Sequence, residues 1–117
     1  MQEIAERYIA AFNETDDERR SRLLAELYTG DSTYTDPHVD LRGTEAIGGF
    51  IAQTQQRFPG VNFGLRGPVD AHHNQARFQW QAGPAERPDQ FVGFDVIVMS
   101  DGRIQNVYGF ADAGPSA

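Results

Sequence analysis

The 117-residue chain contains no cysteine, which removes disulfides, thiolate nucleophiles and zinc–thiolate sites together. Long apolar runs are missing too: nothing approaches the ~18 residues of a membrane-spanning helix, so no membrane partner is expected. Basic surface is scarce. Lys and Arg number 10 against 17 Asp and Glu, a net charge of −7. The largest basic cluster, Arg19-Arg20-Ser21-Arg22, sits among acids and reads as a solvated helix face. Phosphate backbones demand the opposite balance, so no nucleic-acid partner is expected. Met1-Gln2-Glu3-Ile4 offers neither a basic n-region nor an apolar h-region; no signal peptide is expected, and a cytoplasmic location follows by default. There is no glycine-rich phosphate loop, nucleotide fingerprint or Ser-His-Asp order. His72-His73 has no carboxylate or cysteine at ligand spacing, so neither metal nor cofactor is expected. The length suits one domain with one core, taken as residues 1–112, followed by a small, polar tail, 113–117, expected to be flexible.

What is present centres on Phe91-Val92-Gly93-Phe94-Asp95-Val96-Ile97-Val98-Met99. β-Branched and aromatic residues dominate this stretch, and Ser100-Asp101-Gly102 supplies the turn that ends it. Alternation puts Phe91, Gly93, Asp95 and Ile97 on one face and Val92, Phe94, Val96 and Val98 on the other. Both faces are apolar, as in a covered central strand. A carboxylate there is costly unless paired, hydrogen-bonded or protonated. Asp95 is therefore a structural acid bonded to a neighbouring strand or a tyrosine hydroxyl, an acid lining a pocket, or a group exposed at a cavity mouth.

Taken in order, Ile4, Tyr8, Ala11 and Phe12 repeat at helical spacing. Tyr8 on that stripe is either a core aromatic or a hydroxyl aimed into a pocket. Thr15 or Asp16 can cap a second helix over about residues 17–28, with Leu23, Leu24, Leu27 and Tyr28 inward and Gly30 as its stop. Residues 32–37 are extended, since Pro37 biases Asp36 away from helical geometry. Val39 to Gly43 reads as a loop. Thr44 and Glu45 open a third helix carrying Ile47, Phe50, Ile51, Thr54 and Phe58, ended by Pro59-Gly60. Four strands follow: one from Val61 through Leu65, with a possible bulge near Gly67-Pro68 leading on to Ala71; one from Ala76 to Ala82; and a hairpin of 90–99 with 103–111. His72 and His73 lie in a turn, and in extended backbone would point to opposite faces. Arg77, Gln79 and Gln81 share the face opposite Phe78 and Trp80, with Asp70 or Glu86 as partners for Arg77.

Helices first, then hairpin-connected strands, predict an α+β architecture: a curved antiparallel (mixed) sheet, cone-shaped, with three N-terminal helices on its concave face. Val92, Phe94, Val96, Tyr108 and Phe110 would lie on the outer face. An apolar outer face predicts a homodimer.

The order of elements, together with Arg7-Tyr8-Ile9-Ala10-Ala11-Phe12-Asn13, Thr35-Asp36-Pro37, Gly43-Thr44-Glu45-Ala46-Ile47, Phe94-Asp95 and Asp101-Gly102-Arg103-Ile104, resembles the nuclear transport factor 2-like superfamily. Within it the chain resembles the SnoaL-like and ketosteroid isomerase-like proteins. The resemblance covers nearly the whole chain. It implies Asp36 as a general base, with Tyr8 and Asp95 donating hydrogen bonds to an enolate oxygen. Phe78, Trp80 and Ala82 would form the apolar wall, with Val107 and Gly109 opposite. Three positions depart from the relatives. Ile51 stands where the isomerases carry a tyrosine bracing the oxyanion tyrosine. Gly109 stands where limonene epoxide hydrolase-like relatives carry a catalytic aspartate. His38, beside Asp36, has no counterpart in the isomerase pattern and is either a solvated loop histidine or a tuner of Asp36. All three are expected at the pocket wall.

Two functions remain open at this point. One is a cofactor-independent isomerase or cyclase moving a proton on a small hydrophobic carbonyl compound. The other is a non-catalytic ligand-binding or dimerisation module.

Overall fold

The structure, a computed structural model, describes residues 1–112; the expected tail, 113–117, lies outside the described residues. Three helices precede most of the sheet. α1 (Gln2–Asn13) buries Ala5, Tyr8, Ile9, Ala11 and Phe12, the stripe that 3.6-residue periodicity places on one face. Asp16 caps α2 (Asp17–Leu27), its side chain accepting from the backbone N–H groups of Glu18 and Arg19. α3 (Thr44–Arg57) buries Ile47 and Ile51.

α2 stops earlier than the sequence suggests. β1 (Tyr28–Thr35) starts at the next residue and contains Gly30. Tyr28 is paired with Ile104 in the last strand, so a long-range contact overrides the local helical pattern. Val39 to Gly43 is also more than a loop: Asp40–Arg42 forms β2, antiparallel to β1.

The remaining strands are β3 (Asn62–Leu65), β4 (Asp70–His72), β5 (Gln75–Gly83), β6 (Phe91–Ser100) and β7 (Arg103–Ala111). The sheet order is β2-β1-β7-β6-β5-β3, with β4 also on β5. β3 pairs with the second half of β5 and β4 with the first, so in place of the expected bulge near Gly67-Pro68 the chain breaks there and divides one edge into two strands. Gly67 has φ +89, a conformation that favours glycine. Every pairing is antiparallel except that of β1 with β7.

The core lies between the helices and the inner sheet face. Leu24, Leu27, Ile47, Ile51, Ile97, Ile104 and Val107 are essentially inaccessible. Each such side chain stabilises the fold by about 1.5–3 kcal/mol through burial. The charged Arg20 is buried as well: its guanidinium donates to the Glu14 carbonyl at 2.7 Å and to Gln55 Oε1 at 3.2 Å, and pairs with Asp17. Gln55 in turn donates to the carbonyls of Phe12 and Glu14. All three helices are thus joined where α1 ends, and Arg20 is part of that joint instead of the solvated face expected for it. Among the described residues, no helix is long and apolar enough to cross a membrane.

Candidate functional site

The inner sheet face divides along its strands. On β5, Ala76 and Phe78 belong to the core, whereas Trp80 and Ala82 line a cavity of about 490 Å³. On β6, Ile97 is core, Asp95 reaches the cavity and Phe91 lies further along it. On β7, Val107 is core and Gly109 and Ala111 are cavity wall. At one end of this face the helices pack directly on the sheet; at the other, α1 and α3 supply Tyr8, Ile9, Phe12, Phe50 and Gln53 to the opposite side of the cavity. Asp95 sits where packed core gives way to cavity.

This division corrects part of the expected wall. Trp80, Ala82, Gly109 and His38 do line the cavity. Phe78, Val107 and Ile51 do not: they are 2%, 0% and 0% exposed and pack in the core, the two strand residues beneath the helices and Ile51 on the buried face of α3 itself. Tyr8, Asp36 and Asp95 all border the same cavity.

Asp95 is 5% exposed and accepts two hydrogen bonds. The Tyr8 hydroxyl donates to Oδ2 at 2.7 Å and the Trp80 indole N–H donates to Oδ1 at 3.2 Å. It is therefore both bonded to a tyrosine hydroxyl and exposed to a pocket; the two sequence readings hold together. Burial pushes its carboxyl up to about 6, against the lowering effect of those two donors, and Asp36 adds a smaller push in the same direction. Its proton thus comes and goes close to neutral pH. Burial first, and the Asp95 charge second, push the phenols of Tyr8, Tyr28 and Tyr34 up, so all three keep their protons. Tyr8 and Tyr34 donate to Asp95 and Asp36, whereas the buried Tyr28 hydroxyl has no partner among the described residues.

Tyr8 is held by rings rather than by a second tyrosine. Phe12 lies 5.3 Å from it and Phe78 meets it edge-on at 5.6 Å. Ile51, in the bracing tyrosine's place, contributes only bulk to the core.

Asp36 follows β1 and is half-buried. Its Oδ1 accepts from the backbone N–H groups of His38 at 2.8 Å and Val39 at 3.0 Å. Its own N–H donates to the Val39 carbonyl at 3.0 Å, closing the turn that Pro37 begins. Oδ2 accepts from the Tyr34 hydroxyl at 3.0 Å. His38 thus touches Asp36 through its backbone, and its exposed ring makes no hydrogen bond to that carboxylate. Tyr34 was missed from the sequence. It stands two residues before Asp36 on the same strand face, and that spacing was the available signal.

Two glycines make the arrangement possible. A Cβ at Gly109 would lie 2.9 Å from Asp95 Oδ1 and 3.2 Å from Asp36 Cβ, so the two acids flank this residue. A Cβ at Gly93 would lie 2.5 Å from Trp80 Cζ2 and 2.3 Å from the Phe110 carbonyl oxygen. Gly93 and Trp80 are cross-strand partners, and the bare glycine lets the indole lie flat and reach Asp95. Phe12, Phe50 and Phe63 add aromatic wall, and Phe58 meets Phe91 edge-on at 5.5 Å near the exposed end. None of these was singled out for the pocket from the sequence, because they lie on helices and an edge strand whose approach depends on sheet curvature.

His72 and His73 lie elsewhere. His73 has φ 54, which turns the two rings toward each other, Nδ1 to Nδ1 at 3.0 Å, instead of to opposite faces. His72 borders a separate 370 Å³ depression with Arg77, whose guanidinium pairs with Asp70 at 3.1 Å. Among the described residues, no group of three or more His, Cys, Asp or Glu side chains is placed to hold a metal ion.

Comparison with known proteins agrees with this architecture. The family model described as the SnoaL-like domain matches residues 5–107. A solved structure from Agrobacterium tumefaciens, named as a candidate isomerase of the SnoaL-like family, is 38% identical, with 96% of this chain and 97% of that one covered and a TM-score of 0.91. A candidate ketosteroid isomerase from Kribbella flavida is 19% identical, covering 95% of this chain and 76% of its own, with a TM-score of 0.71. A candidate polyketide cyclase from Sinorhizobium meliloti is 14% identical over 92% of this chain and 93% of its own, with a TM-score of 0.73. The last two likenesses are of fold alone. No curated protein matches the chain. The three-helix, mixed-sheet cone, the family match over most of its length and the 38% identical relative together place it: the chain belongs to the SnoaL-like family.

Proposed function

We propose that this protein is a cytoplasmic, cofactor-independent enzyme that moves a proton on a small hydrophobic carbonyl compound, as an isomerase or a cyclase. One observation carries the reading. Two carboxylates border one largely aromatic cavity in contrasting environments: donors converge on Asp36, while Asp95 is walled in and raised to about 6.

In this reading Asp36 takes the proton α to the carbonyl. The C–H bond breaks, a C=C bond forms and the charge moves to oxygen. Tyr8 and Asp95 donate to that oxygen, Asp95 in its neutral form. Substrate filling the cavity removes the remaining solvent from Asp95 and favours its protonation. Asp36 then returns the proton to a different carbon, completing an isomerisation. Alternatively the enolate carbon attacks a second carbonyl: the ring-closing C–C bond forms, that carbonyl's C=O π bond breaks, the first C=O re-forms, and the new alkoxide takes up the proton that Asp36 removed.

The test is Asp36→Asn assayed for exchange of the α-proton of small cyclic ketones into deuterated water. Turnover should fall by more than about a hundredfold, the scale of general-base catalysis. Exchange at the wild-type rate in that variant would remove Asp36 from the mechanism.

A second reading has its own support. Asp95 is satisfied by Tyr8 and Trp80, and Asp36 by its own turn and Tyr34. A ligand-binding module needs nothing more. Under it Asp95→Leu keeps folding and ligand binding, and no ketone exchanges faster than in buffer.

The proposal includes a homodimer through the outer sheet face. Tyr108 and Phe110 are 43% and 50% exposed there, and Phe110 stacks on Phe94 at 4.9 Å.

A further inference from the structure

The cavity wall carries one permanently cationic side chain among the described residues, Arg57. It closes the last turn of α3 and is solvent-exposed, whereas Asp95, on the wall of the same cavity, is buried. The remaining wall is largely aromatic and acidic, and the chain as a whole carries a net charge of −7. Three of the ten arginines pair with a carboxylate among the described residues: Arg66 with Asp89, Arg77 with Asp70 and Arg20 with Asp17. Arg57 is set apart from the other unpaired arginines by standing on the cavity wall. Arg57 has no carboxylate within salt-bridge distance and no hydrogen-bond acceptor among the described residues, although Asp112 borders the same cavity. Its guanidinium rests over the Phe58 ring, 5.5 Å from the centroid. That contact steadies the planar group without using any of its donors.

Gln53 stands one helical turn earlier, also on the cavity wall, and its amide has no hydrogen-bond partner among the described residues. Spacing of i and i+4 puts both heads on the same face of α3. The cavity mouth therefore offers a fork of guanidinium N–H groups and an amide N–H₂, all unengaged. A carboxylate matches that geometry, because its two oxygens take two parallel bonds from one guanidinium. A phosphate dianion usually calls for more positive charge than one arginine beside acidic residues supplies.

We propose that Arg57 is a specificity-determining residue and that the ligand is a keto acid: a hydrophobic body with its carbonyl at Tyr8 and Asp95 and a carboxylate at Arg57 and Gln53. This rests on the assignment of the buried end to the carbonyl made above. It adds a polarity to the site. The acid end stays at the rim, where it needs no full desolvation, and the reactive end is directed inward.

The test uses 6-hydroxy-2-naphthoic acid, whose naphthol mimics an enolate and whose carboxylate lies at the opposite end, against its methyl ester. Affinities come from calorimetry at pH 7.5. The indole N–H resonance of Trp80, the only tryptophan, reports occupancy beside Asp95. The acid should bind wild type about ten- to a hundredfold more tightly than the ester, the scale of a charge-assisted hydrogen-bonded pair. Arg57→Gln should bring the acid down to the ester and leave the ester unchanged. Arg57→Lys should fall between, keeping charge and losing the fork. If acid and ester bind wild type equally while both shift the indole resonance, the keto-acid inference is overturned and the carbonyl site stands. Retention of the acid preference in Arg57→Gln overturns it as well. If neither compound moves the indole resonance, the assignment of the buried end fails and the inference fails with it.

Discussion

Asp95→Asn measured against wild type across pH isolates the energetic consequence of burying this carboxyl. Burial raises it from an ordinary 3.8 to about 6, with Tyr8 and Trp80 pulling the other way. Below about pH 4 the proton is bound in both the folded and the unfolded chain. Between about 4 and 6 only the folded chain holds it, and above 6 neither does. Stability supplied by this group is thus complete at low pH and is lost as pH rises through 6. At about 1.4 kcal/mol for each tenfold in proton affinity, the loss amounts to about 3 kcal/mol.

Asparagine has nearly the same shape and no charge to lose. It accepts one of the two donors and turns its own N–H₂ toward the other, a penalty that does not depend on pH. Urea unfolding followed by circular dichroism at half-unit steps from pH 3.5 to 7.5 gives both stability curves. Subtracting them removes the titrating groups that do not interact with Asp95, leaving Asp36 as the one coupled carboxylate. The wild-type advantage over Asp95→Asn should shrink by about 3 kcal/mol across that range. Parallel curves would refute the reasoning. An advantage that grows with pH would show the donors outweighing burial.

Three further outcomes follow from the same geometry. Gly93→Ala pushes a methyl group into the Trp80 ring and the Phe110 carbonyl; it should destabilise the fold by about 1–3 kcal/mol and break the indole bond to Asp95, read as a moved Trp80 N–H resonance. Tyr34→Phe removes one of three donors to Asp36 and should slow α-proton exchange about tenfold, with circular dichroism unchanged. Phe110→Asp places a charge on the exposed aromatic pair and should convert a dimer to monomers in light scattering, with the helical signal retained.

Periodicity located the three helices and the main hairpins because their apolar positions repeat over many residues. It failed where a distant partner decided the outcome. Tyr28 continues the helical stripe of Leu24 and Leu27, yet parallel pairing with β7 makes it the first residue of a strand. Asp40-Leu41-Arg42 is too short and polar to carry an alternation, and only its pairing with β1 defines it. Arg20 looked solvated because its acceptors, the Glu14 carbonyl and Gln55, come from a turn and another helix.

The site was legible in the same uneven way. Strand parity grouped Asp95 with Phe91, Gly93 and Ile97 on one strand and Phe78 with Trp80 and Ala82 on another; only the cross-strand register, Phe78 opposite Asp95, puts both groups on one sheet face. Parity cannot tell which half of that face the helices cover. Phe78 and Val107 therefore went to the core while Trp80, Ala82 and Gly109 became wall, and Ile51 went to the core on the buried face of α3. Tyr8, Asp36 and Asp95 were placed together by family resemblance, since nothing local to each residue indicates that they share a cavity.

The parallel seam between β1 and β7 has a consequence for how the protein comes into being. It joins the strand leading to Asp36 with the strand carrying Gly109, and the register Thr35↔Tyr108 closes it just before both residues. On the ribosome, the helices and β1 emerge well before the strand they must align with. Non-local pairings of this kind form late, after a long loop has been closed. Neither half of the chain holds a partial version of the cavity: Tyr8 and Asp36 come from the first third, Asp95 and Gly109 from the last. A nascent chain therefore acquires its site in a single closing step, when its final strand docks between two already made.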